Sequence, residues 1–238
     1  MLLPDVGEAG QKKLFDARVL IIGVGGLGSP VALYLAAAGV GCLGLVDNDV
    51  VDTSNLQRQV VYTEADVGVA KVCAAQKHLR ELNHEVEILE HYMAFDEKNG
   101  HKLVEMYDFI IDATDSVTTK FLINDICVQA QKPFCHGGVL EFVGQVMTVV
   151  PGETACYRCF QKKAPEGERA RACSFGGVLG SMAGIIGSIQ ASEALKYITS
   201  CGDLLTDKLF ICDVSSNMYT TIDVVKREHC LACGKDHF

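Results

Sequence analysis

A chain of 238 residues, 49% hydrophobic and 21% charged, can bury a sizeable core and has the composition of a folded globular protein rather than a disordered one. Its formal net charge of −9, without a long Lys/Arg tract, excludes the electrostatic footprint of a nucleic-acid binder. No apolar run reaches the roughly 18 residues of a membrane span, and Met1-Leu2-Leu3-Pro4-Asp5 lacks the layout of a signal peptide, so a cytoplasmic protein with no membrane partner is expected.

In chain order, Arg18 to Ile22 is a β-branched run ending on Gly23, and Leu27 to Ala38 is rich in Ala and Leu with Gly39 at its end. Strand, glycine turn, helix and stop signal follow one another there. Cys42 to Val46 is the next apolar run, closing a βαβ unit at Asp47. Val72, Ala75, Leu79 and Leu82 recur at helical spacing over Lys71 to Leu82, and Phe109 to Ile111 predicts a buried strand running into Asp112-Ala113-Thr114-Asp115. Phe121 to Ala130 predicts a helix. Phe134 to Val139 and Gly144 to Val150 predict strands with no helix between them, so the far edge of the sheet is expected to turn antiparallel. The charged stretch Gln161 to Cys173 predicts a loop, Gly177 to Tyr197 an amphipathic helix, and Leu209 to Asp213 and Tyr219 to Val224 two closing strands. The fold class is therefore α/β, a Rossmann-like mixed and mostly parallel sheet flanked by helices. One domain is expected over 1–238, in two halves: 1–150, which carries the glycine turn, and 151–238, which carries two Cys-x-x-Cys pairs, the charged loop and the closing strands.

Gly23-x-Gly25-x-x-Gly28 with Asp47 two dozen residues on matches a dinucleotide fingerprint, in which glycines admit phosphate to backbone N–H groups and the acid holds a ribose hydroxyl. A turn serving only helix–sheet packing and an NAD-dependent oxidoreductase share those residues. A triphosphate and its metal need more groups, and three are available. Arg58 can fork onto phosphate oxygens, Lys71 can place a point charge on them, and Asp115, past the end of a strand, can hold Mg²⁺. Each also has a structural alternative: a surface ion pair for Arg58, a solvated helix residue for Lys71, the cap of the following helix for Asp115.

Cys156-x-x-Cys159 and Cys230-x-x-Cys233 supply four thiols in two knuckles, the count of a closed tetrahedral Zn²⁺ site. Among the other seven of the eleven cysteines, Cys173 sits in a polar setting near Arg169 and Arg171, where a low thiol pKa is expected. Cys42, Cys73, Cys127, Cys135 and Cys212 fall in apolar segments and are expected in the core, while Cys201 lies in a turn. His136 precedes Gly137-Gly138 and can face the site, but no histidine is assigned a role.

With these motifs in place, the chain resembles the ATP-dependent activating enzymes of ubiquitin-like proteins, in their small bacterial ThiF/MoeB/HesA branch, from about Leu2 to Cys233. The resemblance rests on Gly23 to Gly28, Ser54-Asn55-Leu56-Gln57-Arg58-Gln59, Asp112 to Asp115, Gly177 to Gly180 with Gly187, Gln190 and Glu193, and the two Cys-x-x-Cys pairs. It implies an adenylyltransferase: the C-terminal glycine carboxylate of a ubiquitin-like sulfur-carrier protein ending in Gly-Gly attacks the α-phosphate of ATP and releases pyrophosphate, for thiamine or molybdopterin biosynthesis. By similarity Asp47 holds the ribose, Asn55, Arg58 and Lys71 the phosphates and Asp115 the Mg²⁺, with Gly25 and Gly26 lining the nucleotide and Gly23, Gly28 and Gln59 completing the cofactor-binding set. The zinc is implied to be structural, pinning the C-terminal tail to the far edge of the sheet.

In some relatives a cysteine at the position of Cys173 bonds covalently to the carrier; in others it is dispensable. The resemblance also implies a homodimer, and with no rhodanese-like domain after Cys233 a separate sulfur donor is expected. Family members usually carry an arginine just before the position of Leu2-Leu3-Pro4 that reaches the partner subunit's ATP site. The sequence as given starts after that position, which leaves three expectations open: a true start upstream, adenylation without that cation, or a non-catalytic scaffold. An absent charge there would lower turnover by roughly 10²–10³ while leaving ATP bound.

Overall fold

The computed structural model describes residues 3–163 and 177–234. In chain order the elements are α1 (Gly7–Asp16), β1 (Arg18–Ile22), α2 (Gly28–Ala37), β2 (Cys42–Val46), α3 (Lys71–Leu82), β3 (Glu87–His91), α4 (Gly100–Glu105), β4 (Phe109–Asp112), α5 (Val117–Gln129), β5 (Phe134–Leu140), β6 (Val143–Val149), α6 (Tyr157–Phe160), α7 (Gly180–Thr199), β7 (Lys208–Asp213) and β8 (Met218–Asp223), with short 3₁₀ turns at Thr53–Asn55 and Glu64–Asp66. The strands form one sheet in the order β3-β2-β1-β4-β5-β6-β7-β8. The first five strands in that order pair in parallel, and β6, β7 and β8 continue antiparallel. The antiparallel edge follows from the tight β5–β6 turn, where Glu141 adopts φ 53° and no crossover helix intervenes.

Alternation along β1 shows how the sheet is covered. Val19 and Ile21 pack with Val31, Leu35, Val72, Leu79 and Ile186 from α2, α3 and α7, whereas Leu20 and Ile22 pack with Leu103, Ile123 and Ile126 from α4 and α5. Two buried groups of α7 fasten it to the sheet. Glu193 accepts hydrogen bonds from Thr148 Oγ1 at 2.6 Å and Leu205 N–H at 2.7 Å, and Gln190 Nε2 donates to the carbonyls of Asp112 at 2.8 Å and Cys135 at 3.2 Å. These two motif residues therefore hold architecture together. Strand order reverses between β1 and β4, so a crevice opens at their carboxyl ends, where open α/β sheets bind ligands.

Several boundaries differ from those expected. α5 starts at Val117, a turn earlier than Phe121, because Ser116 Oγ accepts the Thr119 N–H at its N-cap. α7 starts at Gly180 rather than Gly177, since Val178 is extended and bridges Glu141. β3, with charged residues at both ends of Glu87-Ile88-Leu89-Glu90-His91, is an edge strand whose pattern carries little apolar signal. Cys42, Cys127, Cys135 and Cys212 are buried as expected, but Cys73 is exposed and donates to Glu90 Oε2 at 3.0 Å: it falls on the outer face of α3.

Candidate active site

The glycine turn is built by close approach. Gly23 has φ +89°, which favours glycine, and a Cβ on Gly28 would stand 2.0 Å from the Gly23 carbonyl oxygen. The turn therefore lies flat against the start of α2, with Gly23, Gly25 and Gly26 lining the crevice. Asp47, at the end of β2, ties the turn down: Oδ2 accepts the Val24 N–H at 2.8 Å and Oδ1 the Asp49 N–H at 2.9 Å. Burial lifts its carboxyl above the usual aspartate value, while these two backbone donors pull the other way. A carboxylate accepts about four hydrogen bonds, so lone pairs remain for a ribose hydroxyl.

Beyond Asp47 a 3₁₀ turn is capped from both ends, Asp52 Oδ1 accepting from Ser54 N–H at 2.8 Å and Asn55 Oδ1 from Asp52 N–H at 3.3 Å. It places Asn55, Arg58 and Gln59 on one wall of a cleft of about 1200 Å³ that Gly25, Gly26, Asp47, Lys71 and Asp115 also line. The Arg58 stem packs against Gly26, where an added Cβ would meet Cγ at 3.4 Å, and its Nη1 donates to Ser54 O at 3.2 Å. No salt bridge engages Arg58 among the described residues. The Lys71 side chain is only 7% exposed and its ammonium lies 2.9 Å from Asp49 Oδ2, so it is not a solvated surface group. Gln59 is 3% exposed, and its Oε1 has no hydrogen-bond partner among the described residues.

Across the crevice, Asp115 follows β4 and is exposed to the cleft; the capping role falls to Ser116. Beneath it lies a cluster that the motifs do not reveal. Lys120 Nζ sits 3.1 and 3.2 Å from the two oxygens of Asp112 and donates to Gly137 O at 2.5 Å, and His136 Nδ1 lies 2.8 Å from Asp112 Oδ2. Burial alone would raise Asp112, but the Lys120 charge and the His136 hydrogen bond outweigh it and hold the carboxyl below the usual value. Burial holds His136 below the usual histidine value, against the pull of Asp112. A single lysine directly before the apolar Phe121-Leu122-Ile123 run of α5, eight residues after Asp112, is the sequence signal that marks this pair. Cys173 lies outside the described residues.

The four knuckle cysteines converge. Their ligand atoms all lie within 4.8 Å of one another and all four residues are buried. Sγ–Sγ distances are 4.0 Å for Cys156–Cys159, 3.6 Å for Cys156–Cys230 and 3.4 Å for Cys159–Cys233. Shared hydrogen bonds hold Cys159 low as the acceptor, helped by the Arg227 N–H at 3.4 Å, and push Cys156 up. Four buried sulfurs crowded within 4.8 Å of one another are a donor set that a divalent cation would complete. The cluster joins the segment after β6 to the segment after β8.

A Rossmann-like sheet with a glycine turn, Asp47 after β2, Arg58 and Lys71 lining the cleft and Asp115 beyond β4 defines an α/β nucleotide-binding protein. Residues 1–233 match the ThiF family, and the chain belongs to that family. It is 42% identical over 235 residues to "Adenylyltransferase and sulfurtransferase MOCS3" of Drosophila ananassae, covering 98% of this chain and 52% of the relative. It is 41% identical over 240 residues to the MOCS3-2 protein of Zea mays, covering 99% and 49% respectively. The chain thus spans about half the length of the curated relatives it matches. Among solved structures, E. coli MccB crystallised with ATP superposes with TM-score 0.86 at 26% identity, covering 95% of this chain and 69% of that one. Among the described residues no helix is long and apolar enough to cross a membrane.

Proposed function

We propose that this chain is an adenylyltransferase that activates the C-terminal glycine of a ubiquitin-like sulfur-carrier protein with ATP. The observation that carries the reading is the convergence of Asp47, Asn55, Arg58, Lys71 and Asp115 on one cleft beside the glycine turn. The names of its relatives, which pair adenylyltransferase with sulfurtransferase, support it. A carrier carboxylate oxygen forms a bond to the α-phosphorus as the bond to the β-phosphate bridging oxygen breaks, and pyrophosphate leaves with the electron pair. Arg58 and Lys71 face the negative charge that accumulates on the leaving group, Asn55 orients it, and the turn N–H groups hold the α-phosphate. Asp115 would hold Mg²⁺, which supplies further charge at the phosphates. Cys156, Cys159, Cys230 and Cys233 would hold a structural Zn²⁺, whose closed ligand set leaves no position for substrate.

A thiamine or molybdopterin carrier, a homodimeric assembly and a cytoplasmic location are part of this proposal, as is a covalent role for Cys173. The test is exchange of labelled pyrophosphate into ATP, which should require a Gly-Gly carrier and cease when its last glycine is deleted. A protein that binds ATP and carrier yet catalyses no exchange would defeat the reading.

A further inference from the structure

The cluster beneath Asp115 leads back to the cleft. His136 is 1% exposed and has two polar neighbours, Asp112 Oδ2 at 2.8 Å from Nδ1 and Gln145 Nε2 at 3.1 Å from Nε2. An ionised carboxylate only accepts, so the imidazole proton sits on Nδ1 and points at Asp112. Burial disfavours a second proton on the ring, so Nε2 is a bare acceptor, which a Gln NH₂ can satisfy and a Gln carbonyl cannot. The orientation of the Gln145 amide is therefore fixed: nitrogen towards His136, oxygen away from it. Gln145 lines the cleft, and no group among the described residues donates to its Oε1.

What this oxygen faces follows from the sheet. Asp47 stands at the end of β2, and the apolar segment Met93-Ala94-Phe95, just after β3, lines the same side of the cleft, so a nucleoside belongs there. β6, which carries Gln145, is four strands from β2, about 19 Å at the usual ~4.8 Å strand spacing. The base is thus out of reach. The group that comes to Gln145 is the acyl substrate, which must approach the α-phosphate from the side opposite the departing pyrophosphate. A terminal glycine brings no side chain, and its one donor is its amide N–H.

We infer that Gln145 Oε1 accepts a hydrogen bond from a backbone N–H of the incoming carrier tail, and that His136, locked by Asp112 and Lys120, is the positioning residue that turns this oxygen into the cleft. The inference rests on the adenylation reading and adds a substrate requirement, an unsubstituted amide next to the reacting carboxylate.

The test pairs a protein change with a substrate change. Pyrophosphate exchange is measured for the wild-type chain and Gln145→Met, each with a ubiquitin-fold carrier ending in Gly-Gly and with the same carrier made by ligation to end in Gly-sarcosine, which lacks the N–H. Gln145→Met should raise the KM for the Gly-Gly carrier roughly tenfold, the worth of one lost hydrogen bond, with the KM for ATP unchanged; on the sarcosine carrier the two proteins should be equal. His136→Leu should behave like Gln145→Met, while ¹⁵N spectra of the unliganded wild-type chain show His136 neutral and protonated on Nδ1. Equal tenfold losses on both carriers, no loss on either, or a proton on Nε2 would overturn the inference and leave the adenylation reading standing. Absence of exchange by the wild-type chain with the Gly-Gly carrier would overturn both.

Discussion

The Asp47 carboxylate accepts the Val24 N–H at 2.8 Å, so the acid proposed to meet a ribose also braces the glycine turn proposed to meet the phosphates. Binding and preorganisation thus depend on one side chain. Asp47→Ala is predicted to weaken ATP·Mg binding tenfold or more, through loss of about 1.5–3 kcal/mol from hydrogen bonds to a charged group. Asp47→Asn should fall between, since its amide keeps one acceptor oxygen. Titration calorimetry checks the order.

Two glycines of the turn should answer differently to the same change. A Cβ on Gly28 would sit 2.0 Å from Gly23 O, whereas on Gly25 its nearest neighbour would be Gln59 Nε2 at 3.6 Å. Gly28→Ala is predicted to cost on the order of 3 kcal/mol or to prevent folding, because backbone rather than a flexible side chain must move. Gly25→Ala should fold with a near-normal urea midpoint and lose nucleotide affinity.

Lys71 is held by Asp49, whose side chain is 64% exposed, so removing the lysine leaves a carboxylate that water can still solvate. Lys71→Ala and Arg58→Ala should therefore fold normally and slow pyrophosphate exchange by about 10²–10³ each. A wild-type chain that shows no exchange, and whose carrier binding neither change alters, would fit a scaffold.

Asp112 and His136 make stability fall in acid. The folded chain keeps His136 neutral, while unfolded histidine takes a proton below about pH 6.5, so folding stability declines as pH drops through that value. Asp112, held below 3.8 when folded, adds a second loss below pH 3.8 as the unfolded carboxylate protonates first. Asp47, lifted by burial, acts in the opposite sense. His136→Gln should flatten the decline in urea midpoint between pH 7.5 and 5.5, leaving the share due to His91, which burial also holds low. An undiminished decline would refute this assignment.

What was legible in the sequence follows from range. β1 and β2 coincide with their apolar runs because both are buried and parallel, and the glycine turn declares itself through spacing. Edge strand β3 and the short helix α4 carry too few apolar residues to stand out. Convergence of the four cysteines was readable because each knuckle is local. The Asp112–Lys120–His136–Gln145 chain was not, since it joins β4, α5, β5 and β6 through contacts of 8 to 24 residues in separation. Cys73 misled because an apolar-looking residue in an amphipathic helix belongs to whichever face the register gives it.

The central claim is bond formation between a carrier carboxylate and the α-phosphorus of ATP. It is met most directly by incubating the chain with a Gly-Gly carrier and ATP labelled with ³²P at either the α or the γ position, then quenching in acid and isolating the carrier. Label from the α position alone, at up to one per carrier and appearing about 10²–10³ more slowly with Arg58→Ala, is the predicted result. Label from the γ position, or none from either with folded, ATP-binding protein, would contradict it.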